Sequence, residues 1–253
     1  MMRVLSAVAL CCLSAAADGR TLAQIKESGV LGICAHPNSL PFASRTADPP
    51  GFQIELGRAL ARELGVSMTP DWILTAGQIS RADCDIMLDA IADPEAQEEA
   101  RLKLSQPYYH SGVSLAVPKD SRISSFASLN GTTKVGVQVG SLAAMTLGQR
   151  HVRISIFGFE EDMLDAIASH EVDAAAVTAT SAGYYNTLHP GHEVVILPPD
   201  DTAPALSWNV AVGMRKPDDA LKDAIDAALV RLTKDGTIAA IYARYGVTLQ
   251  PPK

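Results

Sequence analysis

Four carboxylates lie close together in one short segment of this sequence: Asp83, Asp85, Asp89 and Asp93. The apolar run that begins after Asp85 predicts a strand over Asp85–Leu88, so that Asp89 stands at its end. A carboxylate in that place, facing a cleft, favours a cationic, hydroxylated or metal-bearing partner. The order of the acids lacks the D-x-D-x-D-G pattern of a calcium loop, and alternate strand residues point apart. We expect Asp89 to bind a ligand without a metal or cofactor; the alternative is that it caps or turns the backbone.

Four further side chains are candidates for ligand binding. Phe42 follows Pro41, whose fixed φ holds the loop so that the ring can face the cleft, although an ordinary core role is the alternative. Ser141 begins a predicted helix, where its hydroxyl and backbone N–H groups suit an anion or simply form an N-cap. Tyr108 either lines the cleft or packs the hinge. Thr178 follows a predicted strand and can donate a hydrogen bond, but a plain strand role is the alternative.

Motifs for catalysis are missing. The sequence contains no G-x-S-x-G and no H-E-x-x-H, and His36 and His110 have no evident nucleophile beside them. The formal net charge is −7, with lysines and arginines scattered singly, which excludes a nucleic-acid or anionic-membrane footprint. We therefore expect a binding protein that is not an enzyme.

Helical and strand patterns alternate along the chain, which predicts α/β lobes with mainly parallel sheets. A helix is predicted over Gly51–Leu64, ended by Gly65. The segments around Asp89 and Thr178 echo each other, since each has an acidic residue, a buried strand and a polar strand end. Ligands of such sheets lie beyond the carboxyl ends of the strands, so both residues are expected at the cleft. The predicted strands are 31–35, 67–73, 85–88 and 112–117, then 134–139, 153–157, 173–177, 193–197 and 208–214.

Two crossings between the series predict a two-strand hinge, near residues 113–119 and near residues 204–211. The chain then closes with two helices separated by Gly236. The predicted domains are lobe 1, residues 18–112 and 212–253, and lobe 2, residues 113–211.

The first seventeen residues have one arginine, a short apolar run and small residues at the end, as in a cleavable secretory signal peptide. The run is shorter than the ~20 apolar residues that span a bilayer. Its removal leaves Cys34 and Cys84 in an oxidising compartment, where a disulfide forms. Closing a loop of about 50 residues is worth roughly 4 kcal/mol in the chain-entropy account. Two buried free thiols remain the alternative.

Six segments in order resemble type II periplasmic solute-binding proteins, the bacterial extracellular solute-binding family 3. The resemblance implies two α/β lobes joined by a two-strand hinge, a location in the periplasm and a small-molecule ligand. Some dehydratases share this fold, which keeps an enzyme as a minor alternative. The segments are GICAHPNSLPF (32–42), GFQIELGRALARELG (51–65), SQPYY (105–109), VGVQVGSL (135–142), EVDAAAVT (171–178) and DGTIAAIYARYG (235–246).

Within that family, the segment from Cys34 to Phe42 and the pair Cys84-Asp85 most resemble a subgroup associated with periplasmic quinoprotein alcohol dehydrogenases. The chain departs from that subgroup at His36 and Ala43 and in the acidic, polar region after Cys84. The resemblance implies an accessory of a PQQ-dependent, methanol-type dehydrogenase, with the enzyme or its cytochrome c as partner. The alternative is the receptor of an ABC importer, which delivers a small polar solute to a permease.

The amino-acid binders of the family use an arginine for the ligand carboxylate and an acid for its ammonium group. Here the arginine place reads Gln97, or Glu98 if the alignment slips by one, and the acid place reads Thr178; Arg101 is the only nearby arginine. We therefore expect no tight binding of standard amino acids, because a buried ligand charge without its partner costs several kcal/mol.

Overall fold

The computed structural model describes residues 19–98, 101–199 and 206–253. The predicted signal peptide, residues 1–17, and the start of the second crossing, residues 204–205, lie outside the described residues. In the part that is described, no helix is long and apolar enough to cross a membrane. The helices are α1 (Leu22–Ser28), α2 (Phe52–Leu64), α3 (Leu142–Gln149), α4 (Glu160–Ala168), α5 (Ala179–Leu188), α6 (Asp219–Lys234) and α7 (Thr237–Ala243). The strands are β1 (Val30–Ala35), β2 (Asn38–Ser39), β3 (Ala43–Ser44), β4 (Ser67–Trp72), β5 (Ile86–Ile91), β6 (Leu102–Leu104), β7 (Tyr109–Val117), β8 (Lys134–Gln138), β9 (Arg153–Phe157), β10 (Ala174–Thr178), β11 (Val195–Leu197) and β12 (Ser207–Arg215).

The main sheet follows the order β4-β1-β5-β12-β7-β10-β8-β9, and β6 and β11 pair with β12 and β7. Pairing is parallel at its two ends, within β4-β1-β5 and within β10-β8-β9. It is antiparallel in the middle, where β12 and β7 cross between the lobes. The α/β fold is thus confirmed, but parallel pairing is confined to the ends because the crossing strands run in opposite directions.

Helix α2 shows why this sequence forms lobe 1. Phe52, Leu56 and Leu60 recur at helical spacing and are fully buried. Gly65 ends the helix as a left-handed cap, with φ 73°. Burial of each such side chain contributes roughly 1.5–3 kcal/mol, so this face fixes α2 on the sheet.

The hydrophobic side chains form separate clusters on either side of the crossings. The largest runs from Ile25 to Tyr109 and continues from Val210 to Val247, so the C-terminal segment completes the core of lobe 1. Two further clusters consist of residues between Val113 and Leu206. The exact lobe boundaries remain a prediction.

The crossing strands β7 and β12 are joined by side chains as well as by their ladder. The His110 ring lies between Ser207 Oγ, 2.7 Å from Nε2, and Asn209 Oδ1, 3.0 Å from Nδ1. Asn209 also donates to the carbonyl of Lys253 at 2.7 Å, and His110 N–H donates to the carbonyl of Gln250 at 2.8 Å. The C-terminal residues are therefore fastened to the hinge.

The predicted disulfide between Cys34 and Cys84 is confirmed, with a Cα–Cα distance of 5.2 Å. Both residues are buried, and the bridge ties β1 to the residues that lead into β5. Beside it the buried Asp85 carboxylate accepts the Gly32 N–H at 2.7 Å and pairs with the Arg20 guanidinium. The start of β5 is therefore held by a covalent bond and by an ion pair.

Candidate functional site

Asp89 lies in a bulge within β5 and not at a strand end. Met87 and Ala90 pair with Gly213 and Ala211, so Leu88 and Asp89 together face the single residue between those partners. Asp89 has φ 55°, in the left-handed region that aspartate tolerates better than most residues. The strand then continues to Ile91. The predicted end at Leu88 was wrong because a bulge turns the chain without ending the ladder.

The bulge directs the Asp89 carboxyl toward three tyrosines. Oδ1 accepts the hydroxyls of Tyr108, Tyr109 and Tyr242 at 3.0, 2.9 and 2.9 Å. All three rings are buried in the core of lobe 1. Oδ2 is buried as well and has no partner in hydrogen-bond geometry.

Burial raises the pKa of the Asp89 carboxyl, although the three hydroxyls and the amide of Gln53 favour its charged form. Burial also raises the pKa of Tyr108, Tyr109 and Tyr242 well above the usual value, with a smaller contribution from the Asp89 charge. The tyrosines therefore remain hydroxyl donors. This geometry favours the alternative role of Asp89, organising the backbone, and its binding of a ligand stays a prediction.

Two other predicted site residues of lobe 1 belong to the same aromatic group. Phe42 is half-buried and packs on Phe52, with ring centroids 5.0 Å apart. Phe52 in turn stacks on Tyr242 at 4.4 Å. Tyr108 is buried against Tyr109. Of these predicted residues, Phe42 keeps the larger accessible surface for contact with a solute.

Gln97, one of the two residues predicted at the place of the family's arginine, is turned inward. Its side chain is buried, and its amide donates to the carbonyl of Ile91 at 3.2 Å. The amide thus closes the loop that follows β5. It carries no charge with which to hold a ligand carboxylate.

Ser141 and Thr178 are brought together by the sheet of lobe 2. They follow or end β8 and β10, which are parallel neighbours. Ser141 caps α3, its hydroxyl accepting the N–H of Ala144 at 3.1 Å, and Thr178 caps α5 by accepting the N–H of Ser181 at 3.2 Å. The N-cap role of Ser141 agrees with the alternative given for it, whereas Thr178 both ends β10 and caps α5. Both residues remain partly exposed at the same edge. Their contact with a solute stays a prediction.

The sequence reasoning missed Glu160, the first residue of α4. Its Oε1 accepts the Thr178 N–H at 2.9 Å, and its Oε2 accepts the Thr178 hydroxyl at 2.9 Å. Glu160 therefore supplies a carboxylate beside Thr178, whose own side chain has none. The available signal was the acidic run from Glu160 to Asp162, since acids favour the first turn of a helix.

Large apolar side chains are exposed around this edge of lobe 2. Val139, which follows β8, is 64% exposed, and Phe159, the residue before α4, is 70% exposed. Leu142 in the first turn of α3 is also exposed. The edge therefore combines polar side chains with an apolar surround, a common composition of small-molecule sites. Among the described residues, no group of three histidines, cysteines or acids is placed to hold a metal ion.

Residues 31–248 match the family described as bacterial extracellular solute-binding proteins, family 3. The chain belongs to this family. The match takes in both lobes and the crossing strands. The family description also agrees with a location outside the cytoplasm.

Several relatives of this chain have descriptions that mention amino acids. The probable amino-acid-binding protein YxeM of Bacillus subtilis is 27% identical, covering 94% of this chain and 92% of the relative. The L-cystine-binding protein TcyJ of Escherichia coli strain K12 is 26% identical, covering 90% and 87%. A membrane-bound lytic murein transglycosylase F of Desulfosudis oleivorans is 24% identical over 89% of this chain, which spans only 50% of that protein.

Solved structures show the same fold. An ancestral cationic amino-acid solute-binding protein has a TM-score of 0.77 and 25% identity, covering 89% of this chain and 99% of that one. The unliganded, open L-cystine receptor of Neisseria gonorrhoeae has a TM-score of 0.73 and 20% identity, covering 92% and 99%. The predicted type II architecture is confirmed. None of these relatives is described as a dehydrogenase accessory, so the comparisons do not support that subgroup.

Proposed function

We propose that this protein is a non-enzymatic receptor that binds a small amino-acid-like solute outside the cytoplasm and delivers it to an ABC permease. The observation that carries the proposal is the edge of lobe 2, where α3 and α5 begin beyond the carboxyl ends of the neighbouring strands β8 and β10. Ser141, Thr178 and Glu160 supply hydroxyls and a carboxylate there. Family membership over both lobes and the amino-acid-binding descriptions of the relatives support this reading.

The proposed site differs from those of the family's amino-acid binders at the place that would hold an acidic group of the solute. The residue at the arginine place is Gln97, whose amide is occupied by the carbonyl of Ile91. Charge-assisted hydrogen bonds are roughly twice as strong as neutral ones. A standard amino acid would therefore bind less tightly here than in a relative with both charged anchors.

The direct test is recovery of the natural solute. Protein purified without unfolding would be denatured, and the released small molecules identified by mass spectrometry. The refolded, solute-free protein would then be titrated by calorimetry with the recovered compound and with the twenty standard amino acids. We expect micromolar binding of the recovered solute and weaker binding of the standard amino acids. Absence of any released or bound small molecule would contradict the receptor function.

The dehydrogenase-accessory reading makes a different prediction. The disulfide joins two of the residues on which that resemblance rests, Cys34 and Cys84. That feature suits a receptor equally well, because it holds the start of β5 in either case. Co-purification at low salt with a quinoprotein dehydrogenase or its cytochrome c, together with loss of alcohol oxidation on gene deletion, would favour the accessory over the receptor.

A further inference from the structure

We infer that Glu160 is the residue that receives a positively charged group of the solute, and that the solute is a small organic amine. The inference rests on the proposed receptor function. It goes further by naming the residue that selects the solute and the chemical class that this residue selects.

The first step is the fixed position of the Glu160 carboxylate. Each oxygen accepts one donor from Thr178, the backbone N–H on Oε1 and the hydroxyl on Oε2. Thr178 is itself fixed, since its hydroxyl oxygen accepts the N–H of Ser181 at the start of α5. The carboxylate is thus pre-organised by the junction of β10 and α5, and a solute need not immobilise it.

The second step is the unused binding capacity of that carboxylate. An ionised carboxylate has about four lone-pair sites, and Thr178 occupies two of them. Glu160 is only partly buried, and within the described residues no lysine or arginine pairs with it. A partly desolvated carboxylate with free lone pairs and no protein cation favours a cationic partner.

The surroundings of Glu160 point to the same class of solute. Glu161, the next residue, is exposed, and its charge contributes to the raised pKa of Tyr184, after the larger effect of burial. Phe159, the preceding residue, exposes 70% of its surface. Aromatic faces and carboxylates both attract ammonium groups. The segment from Phe159 to Glu161, with Tyr184 near it, therefore suits a cation.

The third step is the missing arginine, the charged residue that would hold a carboxylate of the solute. Gln97 offers a neutral amide that is already used within its own loop. An amino acid would bring a carboxylate into the cleft without a matching arginine, whereas the corresponding amine brings only the charge that Glu160 can hold. We therefore expect amines to bind more tightly than their parent amino acids.

The experiment compares matched pairs of probes on refolded, solute-free protein by calorimetry. The amines agmatine, histamine, cadaverine and isoamylamine would be set against arginine, histidine, lysine and leucine, and 4-methylpentanoate would serve as an acid without an ammonium group. The variants are Glu160→Gln, which keeps the shape but removes the charge, and Asp162→Asn as the control, which removes an exposed charge from the same turn of α4. Thr178→Val keeps the charge of Glu160 but removes one of its two hydrogen bonds.

Support consists of an amine that binds at least about tenfold more tightly than its parent amino acid, a factor worth 1.4 kcal/mol. Glu160→Gln should lower that affinity by about tenfold or more, Thr178→Val should lower it less, and Asp162→Asn should leave it nearly unchanged. Thermal unfolding of each variant checks its folding, and if Glu160→Gln does not fold, the result for Thr178→Val decides.

Two outcomes overturn the inference while the receptor function stands. One is tighter binding of an amino acid than of its amine, and the other is full affinity in Glu160→Gln. If wild-type protein binds none of the amines or amino acids but retains another natural solute, the amine class is overturned. If it retains and binds nothing, the receptor function is overturned as well.

Discussion

Replacement of Asp89 tests whether its carboxyl stabilises the core of lobe 1 or binds a ligand. Three buried hydroxyls share Oδ1, while Oδ2 has no partner. Asp89→Ala removes the common acceptor. Asp89→Asn keeps an acceptor oxygen in the same place and removes only the charge.

The magnitudes follow from what each variant leaves unpaired. In Asp89→Ala the Tyr108 and Tyr242 oxygens, 3.3 Å apart, can still form one hydrogen bond with each other, so two of the three buried hydroxyls lose their acceptor. At 1–3 kcal/mol per unsatisfied group, we expect a loss of about 2–6 kcal/mol in the free energy of unfolding. Asp89→Asn should lie within about 1 kcal/mol of wild type at neutral pH, because the cost of a buried charge disappears with it.

The pH dependence separates charge from hydrogen bonding. Burial raises the folded pKa of Asp89 above the unfolded value of about 3.9. The folded protein therefore binds this proton more tightly. Its contribution to stability is complete below about pH 3.9 and is lost as the pH rises through the folded pKa. Relative to Asp89→Asn, wild type should lose at most about 1.4 kcal/mol per pH unit in that window.

Urea unfolding of wild type, both Asp89 variants and the exposed control Asp223→Asn at several pH values measures these differences. The control should match wild type throughout. If Asp89→Ala is as stable as Asp89→Asn, the three tyrosines do not depend on the carboxyl. A difference between wild type and Asp89→Asn that stays constant from pH 4 to pH 7 would refute the raised pKa. Full solute affinity in a folded Asp89→Asn would argue against a ligand role for the charge.

Three further predictions concern the scaffold. Replacing Cys34 and Cys84 by serine should cost about 4 kcal/mol of unfolding free energy, measured by urea unfolding, and an unchanged transition under reducing conditions would contradict this. Asp85→Asn, which leaves the partly exposed Arg20 charge without its buried partner, should cost about 1.5–3 kcal/mol, a loss that Arg20→Gln in the same protein should partly recover. Asn209→Ala should speed hydrogen exchange of the Lys253 amide, which donates to Asn209 Oδ1 at 3.0 Å, detected by mass spectrometry of the C-terminal peptide; unchanged exchange would show that the backbone bridge between His110 and Gln250 alone holds these residues.

Much of the fold could be predicted because local patterns and tertiary packing agree. Helix α2 begins and ends within one residue of the prediction, since the apolar spacing and Gly65 point to the same bounds. Gly236 does separate α6 from α7, with φ 81° at the start of α7. The central antiparallel pairing was less accessible, because strand patterns give the position of a strand but not the direction of its neighbour.

The site was harder to predict because its partners are distant in sequence. Nothing around Asp89 indicates a φ of 55°, and one of its hydroxyl donors, Tyr242, lies 153 residues away. Glu160 and Thr178 are separated by 18 residues and two element boundaries. Local spacing could therefore nominate Thr178 as a polar strand end, but only the packing of α4 against β10 brings the carboxylate to it.

The segments around Asp89 and Thr178 resemble each other in sequence, but the Asp89 side chain lies in the core and the Thr178 side chain lies at the sheet edge. Backbone sterics explain this difference. Aspartate tolerates the left-handed region, so Asp89 can occupy a bulge that directs its carboxyl into the core. Threonine is β-branched and disfavours that region, and Thr178 keeps extended geometry at φ −70° and ψ 144°. It therefore ends its strand at the edge, where it holds Glu160. In lobe 1 the carboxyl of Asp89 therefore lies within the aromatic core, whereas in lobe 2 the partly exposed carboxylate of Glu160 is held at the sheet edge.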